Sequence, residues 1–429
     1  MRISFYFICF VSSLFIFYSC SKERLTMETD PNGLYAPVLS STRNSNSITL
    51  EWHKPFCNYC GGCPCPLKEP DYFEIYMSDV EFGKYDLLSR VPNGQFTYTV
   101  NNLETNKPKF FKIKAVKDDR LYTISKTIMS IPGETEIIHP LFENVNESRT
   151  SGSWSPDMSR VAYISEYVWN NGANSTQSLF ISPVNATTGE LIQINAYAPK
   201  WSPDGTNIVY HTDNEETLIE PGYRPTHIAL YNTTNNTIKK LTTGYTFDYR
   251  ATWSPDGKWI AYLSDASKTN EYNIWKVNKD GGKPIQINKD FNDLNDLGIK
   301  TDRSPKILSW SQDGTKIAFS RLTNPENYNQ DIFTINSDGS GSPEFLVSTK
   351  WNDFCPAYSP DGKSLAFLSD RSGNTEIWLM DLFSGQLTQI TGSSGSYIDG
   401  ELCWSASGKQ IIYTGADSIY FKLFSVEIN

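Results

Sequence analysis

Apolar and polar residues alternate in short runs along much of the chain. Ser47-Ile48-Thr49-Leu50-Glu51-Trp52 alternates, as do residues 72–76 and 110–116. A period of two puts every second side chain on one face of a pleated strand, so these runs predict β-strands. From residue 150 onward one phrase returns six times. It reads WSPDMSRVAYIS at Trp154, WSPDGTNIVYHTD at Trp201 and WSPDGKWIAYLSD at Trp253. It continues as WSQDGTKIAFSR at Trp310, YSPDGKSLAFLSD at Tyr358 and WSASGKQIIYTG at Trp404. The anchors stand 46 to 57 residues apart, and each unit holds four β-patterned runs, in the third copy 250–253, 259–263, 272–277 and 284–287. Repeats of this period predict propeller blades.

The phrase has a mechanical reason. Pro presets φ, Asp caps the turn through its side chain and Gly takes positive φ, so Ser-Pro-Asp-Gly joins a first strand to a second. The second strand is apolar on both sides: Ile260 and Tyr262 point one way, Ala261 and Leu263 the other. That suits a sheet sandwiched between two neighbours. The anchors and turn acids therefore read as structural, not catalytic.

WSPDG, then IAY, then IWKVNKDG or IWLMDLFSG, then QIN or QIT resembles the repeats of TolB-type propellers over residues 135–429. The resemblance implies an all-β, six-bladed TolB-like β-propeller, assigned to residues 133–429. The sixth copy leaves no room for a fourth strand before Asn429, and Glu136–Phe142 is expected to supply it and close the ring. Before it, residues 34–132 carry strand patterns in the order APVLSS, SITLEW, YFEIYMS, FTYTVNNL, FFKIKAV and SKTIMS. This order resembles a fibronectin type III domain, with Trp52 and Leu103 as core landmarks, and implies a β-sandwich that acts as a spacer.

At the amino end, Arg2 and the apolar run Phe5–Phe17 read as a signal peptide too short to span a bilayer comfortably. Ser19-Cys20 resembles the lipobox of bacterial lipoproteins. On that resemblance residues 1–19 are the signal peptide, Cys20 carries the lipid and residues 20–33 are a tether. Ser21 after the Cys implies the outer membrane, on its periplasmic or surface side, held by the lipid anchor alone. An ordinary signal peptide with a chance Cys is the alternative.

Composition narrows the function. The 429 residues carry a net charge of −10 and a pI near 5.1, without a basic stripe, which excludes nucleic acid. Four His leave little room for a multi-histidine metal site. Cys57, Cys60, Cys63 and Cys65 fall within nine residues. Two local disulfides, a tetrathiolate zinc or iron–sulfur site and a redox-active pair all suit them; an oxidising envelope favours disulfides. Cys355 and Cys403 read as buried thiols.

A ligand is expected on the face opposite the Ser-Pro-Asp-Gly turns, where the longest loops fall. The lead-in loops there collect Tyr197, Tyr245, Phe247, Tyr249, Trp351, Phe354 and Tyr397. Aromatic side chains over a funnel suit a protein hot spot or sugar stacking, with Trp351 and Tyr245 as the expected centre. Asp248, Asp353 and Asp399 stand five residues before their anchors. Equivalent places in a ring can converge at the axis to bind a cation or a basic segment, or they hydrogen-bond their own loops. Beyond that cation and a metal at the four-cysteine loop, no cofactor is expected.

Propellers of this type also precede the hydrolase domain of prolyl-oligopeptidase-like peptidases. The sequence carries no G-x-S-x-G elbow and leaves no such domain after the sixth copy, so a peptidase is not expected. The expected function is non-enzymatic: an envelope lipoprotein that binds a protein or peptide partner. Glycan binding or degradation in the funnel is the alternative, and a purely structural envelope part the third.

Overall fold

A computed structural model describes residues 34–428 except 55–67, 134–137, 143–147, 170–173, 185, 187, 214–224, 267–271, 289–305, 325–328, 393–397 and 418–419. Cys20, the four clustered cysteines and Tyr397 lie outside the described residues. Each named element is a β-strand. No helix among the described residues is long and apolar enough to cross a membrane.

Residues 34–133 hold two antiparallel sheets. One contains Val38–Arg43, Ile48–His53 and Thr97–Val100; the other is built around Tyr72–Ser78 and Lys109–Lys117. Ile48, Leu50 and Trp52 point into the core, while Glu51 and His53 face solvent. Trp52 meets Phe73 edge-on at 5.5 Å, and Leu103 packs on the same cluster.

The rest of the chain forms, among the described residues, six four-stranded antiparallel sheets. Their first strands are Arg149–Trp154, Ala196–Trp201, Asp248–Trp253, Lys306–Trp310, Asp353–Tyr358 and Ile398–Trp404. Each packs on the first strand of the next sheet, and the sixth packs on the first, so the sheets surround an axis. Apolar side chains on both faces make this stacking favourable. In the third sheet, Ile260 and Tyr262 join the core shared with the second, and Ala261 and Leu263 that shared with the fourth.

The turns repeat one hydrogen-bond scheme. Ser202 Oγ donates to Asp204 (2.5 Å) and accepts the Asn207 N–H (2.9 Å), and Gly205 takes a φ of 72°. The side chains of these turn acids are spent on the turn itself.

Ile138–Pro140 is the outer strand of the sixth sheet and pairs with Tyr420–Glu427. Leu141 and Phe142 follow it into a buried cluster with Trp154, Tyr163 and Leu423. This strand comes from before the first sheet and fastens the last.

The sandwich docks onto the fifth sheet. Phe110, Met129 and Ile131 share a core with Leu365, Phe367 and Trp378. Backbone hydrogen bonds run from Ser41 N to Ser372 O (3.0 Å), from Met129 N to Arg371 O (2.5 Å) and from Arg43 N to Gly392 O (3.3 Å). At Gly373, φ 94°, a Cβ would stand 2.2 Å from the Leu39 carbonyl oxygen. Only glycine allows so close an approach there.

Two outcomes test this packing. Leu141→Ala is expected to cost about 2–5 kcal/mol by opening a cavity under the closing strand, read as a lower denaturant midpoint. An unchanged midpoint would show that strand to be dispensable. Gly373→Val should force the sandwich off the fifth sheet, splitting one calorimetric transition into two. A single unshifted transition would refute the tight contact.

Candidate functional site

The inner strand of every sheet carries a bulge just before its anchor. The residue three places ahead of the anchor is left-handed in five sheets: Ser151, Ala198, Arg250, Ile307 and Cys355 have φ between 47° and 54°. In the sixth, Gly400 at 84° does this and Glu401 holds the same place. The strand registers shift at these points. A bulge re-aims side chains, and here it gathers residues from different sheets around the axis.

Two of these bulge residues, Arg250 and Glu401, form an ion triad with Lys200, which directly precedes the anchor Trp201. Glu401 of the sixth sheet bonds Lys200 of the second through Oε2 (2.7 Å) and Arg250 of the third through Oε1 (3.0 Å). Burial works against the charge on Glu401, but the two cations outweigh it and hold the carboxyl at about 2. Burial also opposes the charge on Lys200, yet Glu401 leaves it above its ordinary range.

A pocket of about 470 Å³ opens on the loop side of the triad, over the first three sheets. Its lining includes Tyr197, His211, Phe247, Tyr249, Arg250 and Tyr272. His211 lies within the second strand of its sheet, Asn207–Asp213, where Tyr197 stacks on it at 5.1 Å. Tyr249 meets His211 at 6.3 Å and Tyr272 edge-on at 4.7 Å. Burial, aided by the charge of Arg250, lowers His211 to about 3, so the ring is neutral at pH 7. On the turn side, Lys200 lines a second hollow of about 380 Å³ rimmed by the anchors of the ring.

The sequence candidates divide. Tyr197, Phe247 and Tyr249 come together in the pocket, and Tyr245 stands 70% exposed on the loop leading into the third sheet. Trp351 is not part of a free face. Its indole N–H points to the Thr127 carbonyl oxygen of the sandwich (3.4 Å), and its ring lies in the core between the two domains. Phe354 packs into the core of the fifth and sixth sheets. The acids do not converge as free ligands. Asp248 is buried on Ser264 and Thr246, and burial raises its pKa against those hydrogen bonds. Asp353 is fully buried and pairs with the fully buried Arg371 at 2.5 Å, with Thr349 on its other oxygen. Both acids hold their own loops. Asp399 lies in the first strand of the sixth sheet, opposite Thr414. Among the described residues no group of three or more His, Cys, Asp or Glu is placed to hold a metal.

Arg250, Lys200, Glu401 and Tyr272 were missed. The repeat varies at the bulge, through Ser, Ala, Arg, Ile, Cys and Glu, so nothing in the motif marks it. A lysine before one anchor and a glutamate three places before another carried the only signal.

The triad and the histidine make stability depend on pH. Glu401→Gln leaves the largely buried Lys200 and the partly exposed Arg250 without their shared carboxylate and is expected to cost about 3 kcal/mol in chemical denaturation, the low end for a buried pair because Arg250 reaches solvent; a cost near zero would show the triad solvated. For both groups the native pKa lies below the unfolded value, so the unfolded chain binds more protons as pH falls. Stability should decline from pH 6.5 toward 3 through His211 and from pH 4.5 toward 2 through Glu401. His211→Phe should flatten the upper part of that decline, and an unaltered profile would refute the buried neutral ring.

Residues 304–429 match the TolB beta propeller domain, and residues 224–345 match the dipeptidyl peptidase IV N-terminal region. The chain is 30% identical over 159 residues to dipeptidyl-peptidase 5 of Porphyromonas gingivalis, a match covering 35% of this chain and 22% of that protein. It is 25% identical over 182 residues to a TolB homologue of Chlorobium luteolum, covering 42% of this chain and 36% of that protein. The chain thus spans well under half the length of either relative. Among solved structures, a putative TolB from Agrobacterium tumefaciens aligns at 17% identity with a TM-score of 0.44, over 83% of this chain and 99% of that one. The ring of sheets in this chain is a TolB-like β-propeller.

Proposed function

We propose that this chain is a non-enzymatic lipoprotein of the cell envelope whose propeller captures a protein or peptide partner in the axial pocket. The propeller is six-bladed, and a fibronectin type III-like sandwich serves as the spacer. A lipid on Cys20 holds it at the outer membrane, and disulfides among Cys57, Cys60, Cys63 and Cys65 staple a loop of the spacer. The observation that carries the binding function is the asymmetry of the loop face. The sandwich covers the fifth sheet there, while the pocket over the first three sheets is open, walled by tyrosines and floored by a cation. Aromatic walls with a few polar groups, His211 and Arg250 among them, are the make-up of a recognition pocket.

The TolB-like repeats support an interaction role. The similarity to dipeptidyl-peptidase 5 covers 22% of that protein, so its activity is not taken over. Carbohydrate binding or degradation on the same face is the second reading, favoured by the three tyrosines that line the pocket.

The test is crosslinking and capture of the full lipoprotein from its native envelope, beside a Tyr197→Ala/Tyr249→Ala variant of unchanged fold. A stoichiometric partner recovered with the wild type and lost with the variant is the expected result. Equal recovery from both would refute the pocket as the site. No partner, with a glycan retained instead, would turn the function to carbohydrate.

A further inference from the structure

We propose that the axial pocket recognises the carboxy-terminus of a peptide, with Arg250 and His211 receiving the terminal carboxylate. This rests on the peptide-binding function proposed above and names the group that is read. Charge balance at the axis comes first. Lys200 and Arg250 share the single carboxylate of Glu401, one oxygen each, so the triad holds an excess positive charge. Arg250 spends only Nη1 on Glu401; its Nε and Nη2 have no hydrogen-bond acceptor among the described residues. Its side chain is 38% exposed, and the residue lines the pocket. A guanidinium with an unused edge matches a carboxylate through two parallel hydrogen bonds.

His211 adds a second donor. Its Nδ1 accepts the Arg250 backbone N–H at 3.5 Å, so the neutral ring carries its proton on Nε2. That nitrogen has no hydrogen-bond acceptor among the described residues, and the ring lines the pocket. Around these donors stand Ile164, Ala198, Phe247 and the tyrosines. Ile164, Ala198 and Phe247 offer an apolar patch to the side chain of a last residue, while Thr150, Ser151, Gln177 and Thr226 of the same lining can meet its backbone amides.

The axis explains why an end is read and not a passing segment. The third and sixth sheets lie opposite each other in the ring, and the Arg250–Glu401 pair joins them across it. Lys200 adds a second tie to Glu401. A peptide entering from the loop face meets this bridge after about 470 Å³ of space, and its chain has to stop there.

The test is calorimetric titration of the full mature chain with four probes. These are acetyl-Gly-Ala-Leu-Phe as free acid, the same peptide as its amide, acetyl-Gly-Glu-Leu-Phe-amide, and digalacturonic acid. The free acid should bind, and the amide should bind about tenfold or more weakly for loss of a charge-assisted pair. Arg250→Met should erase the difference between acid and amide, and Arg250→Lys should keep part of it. The comparison of acid with amide on the wild type needs no variant to fold. Equal binding of acid and amide, or no binding of the free acid, would overturn the proposal. Preference for the glutamyl amide would overturn it in favour of a side-chain carboxylate, and binding of the digalacturonate alone in favour of a glycan. A partner captured through Tyr197 and Tyr249, with no preference for the acid, would sink this inference and leave the peptide-binding function standing. No captured partner would remove that function itself.

Discussion

Ring closure is the constraint on which the rest of this structure depends. Each sheet buries both faces, so opening the ring at any joint exposes two apolar surfaces to water. The chain avoids this by taking Ile138–Pro140, from before the first sheet, as the outer strand of the last. Leu141 and Phe142 then carry the join into the core of the first sheet, beside Trp154 and Tyr163. Closure also decides where the amino-terminal domain can go. Gly133 still hydrogen-bonds Asn44 of the sandwich, and Ile138 is already in the sixth sheet. So short a link confines the sandwich to that side of the ring, where it meets the fifth sheet.

Docking at the fifth sheet gives a nearly symmetric scaffold an asymmetric face. Arg371 is the hinge of this arrangement. Its guanidinium is fully buried on Asp353 and over the rings of Trp351, Phe367 and Trp378, while its carbonyl oxygen accepts the Met129 N–H of the sandwich. A buried cation is costly unless paired, and Asp353 supplies the pair. The acid that reads in sequence as a possible axial ligand thus fixes the turn on which the neighbouring domain rests. With that side covered, the open mouth of the axis lies over the first three sheets.

What the sequence made legible follows from what repeats. The turn phrase, the strand pattern and the double-sided apolar second strand recur in phase, because every sheet solves the same packing problem. The alternation of Ile48, Leu50 and Trp52 was readable for the same reason: one face had to be buried. The pocket was half legible. Tyr197 and Tyr249 open the first strands of their sheets and Phe247 directly precedes one, places that the repeat phrase does not explain, and aromatic residues there were a fair signal. Trp351 carried the same signal and means something else, since nothing local tells a tryptophan facing solvent from one under a docked domain. Arg250 and Glu401 were invisible because their meeting is tertiary: they are 151 residues apart and belong to sheets that face each other across the ring. The left-handed bulge that turns them inward occurs at Ser, Ala, Arg, Ile and Cys alike, and only the sixth sheet has a glycine, Gly400, to announce it.

The axial triad calls for an explanation that stability does not provide. Burying Lys200 and Glu401, with Arg250 partly buried beside them, costs desolvation that their attraction barely returns, and apolar residues of similar volume commonly do as well. The other places at the same bulge show that the ring accepts such residues, with Ala198 and Ile307 among them. The sheets are already held by strand closure and by cores on both faces, so the triad adds little that the ring lacks. It does fix a positive charge at the base of a tyrosine-walled pocket, in partly buried surroundings where a charge acts more strongly than in water. Glu401 supplies enough neutralisation for Lys200 to stay buried, and too little to satisfy the partly exposed Arg250. A site left one acceptor short, behind an open mouth, has its free energy reserved for what enters.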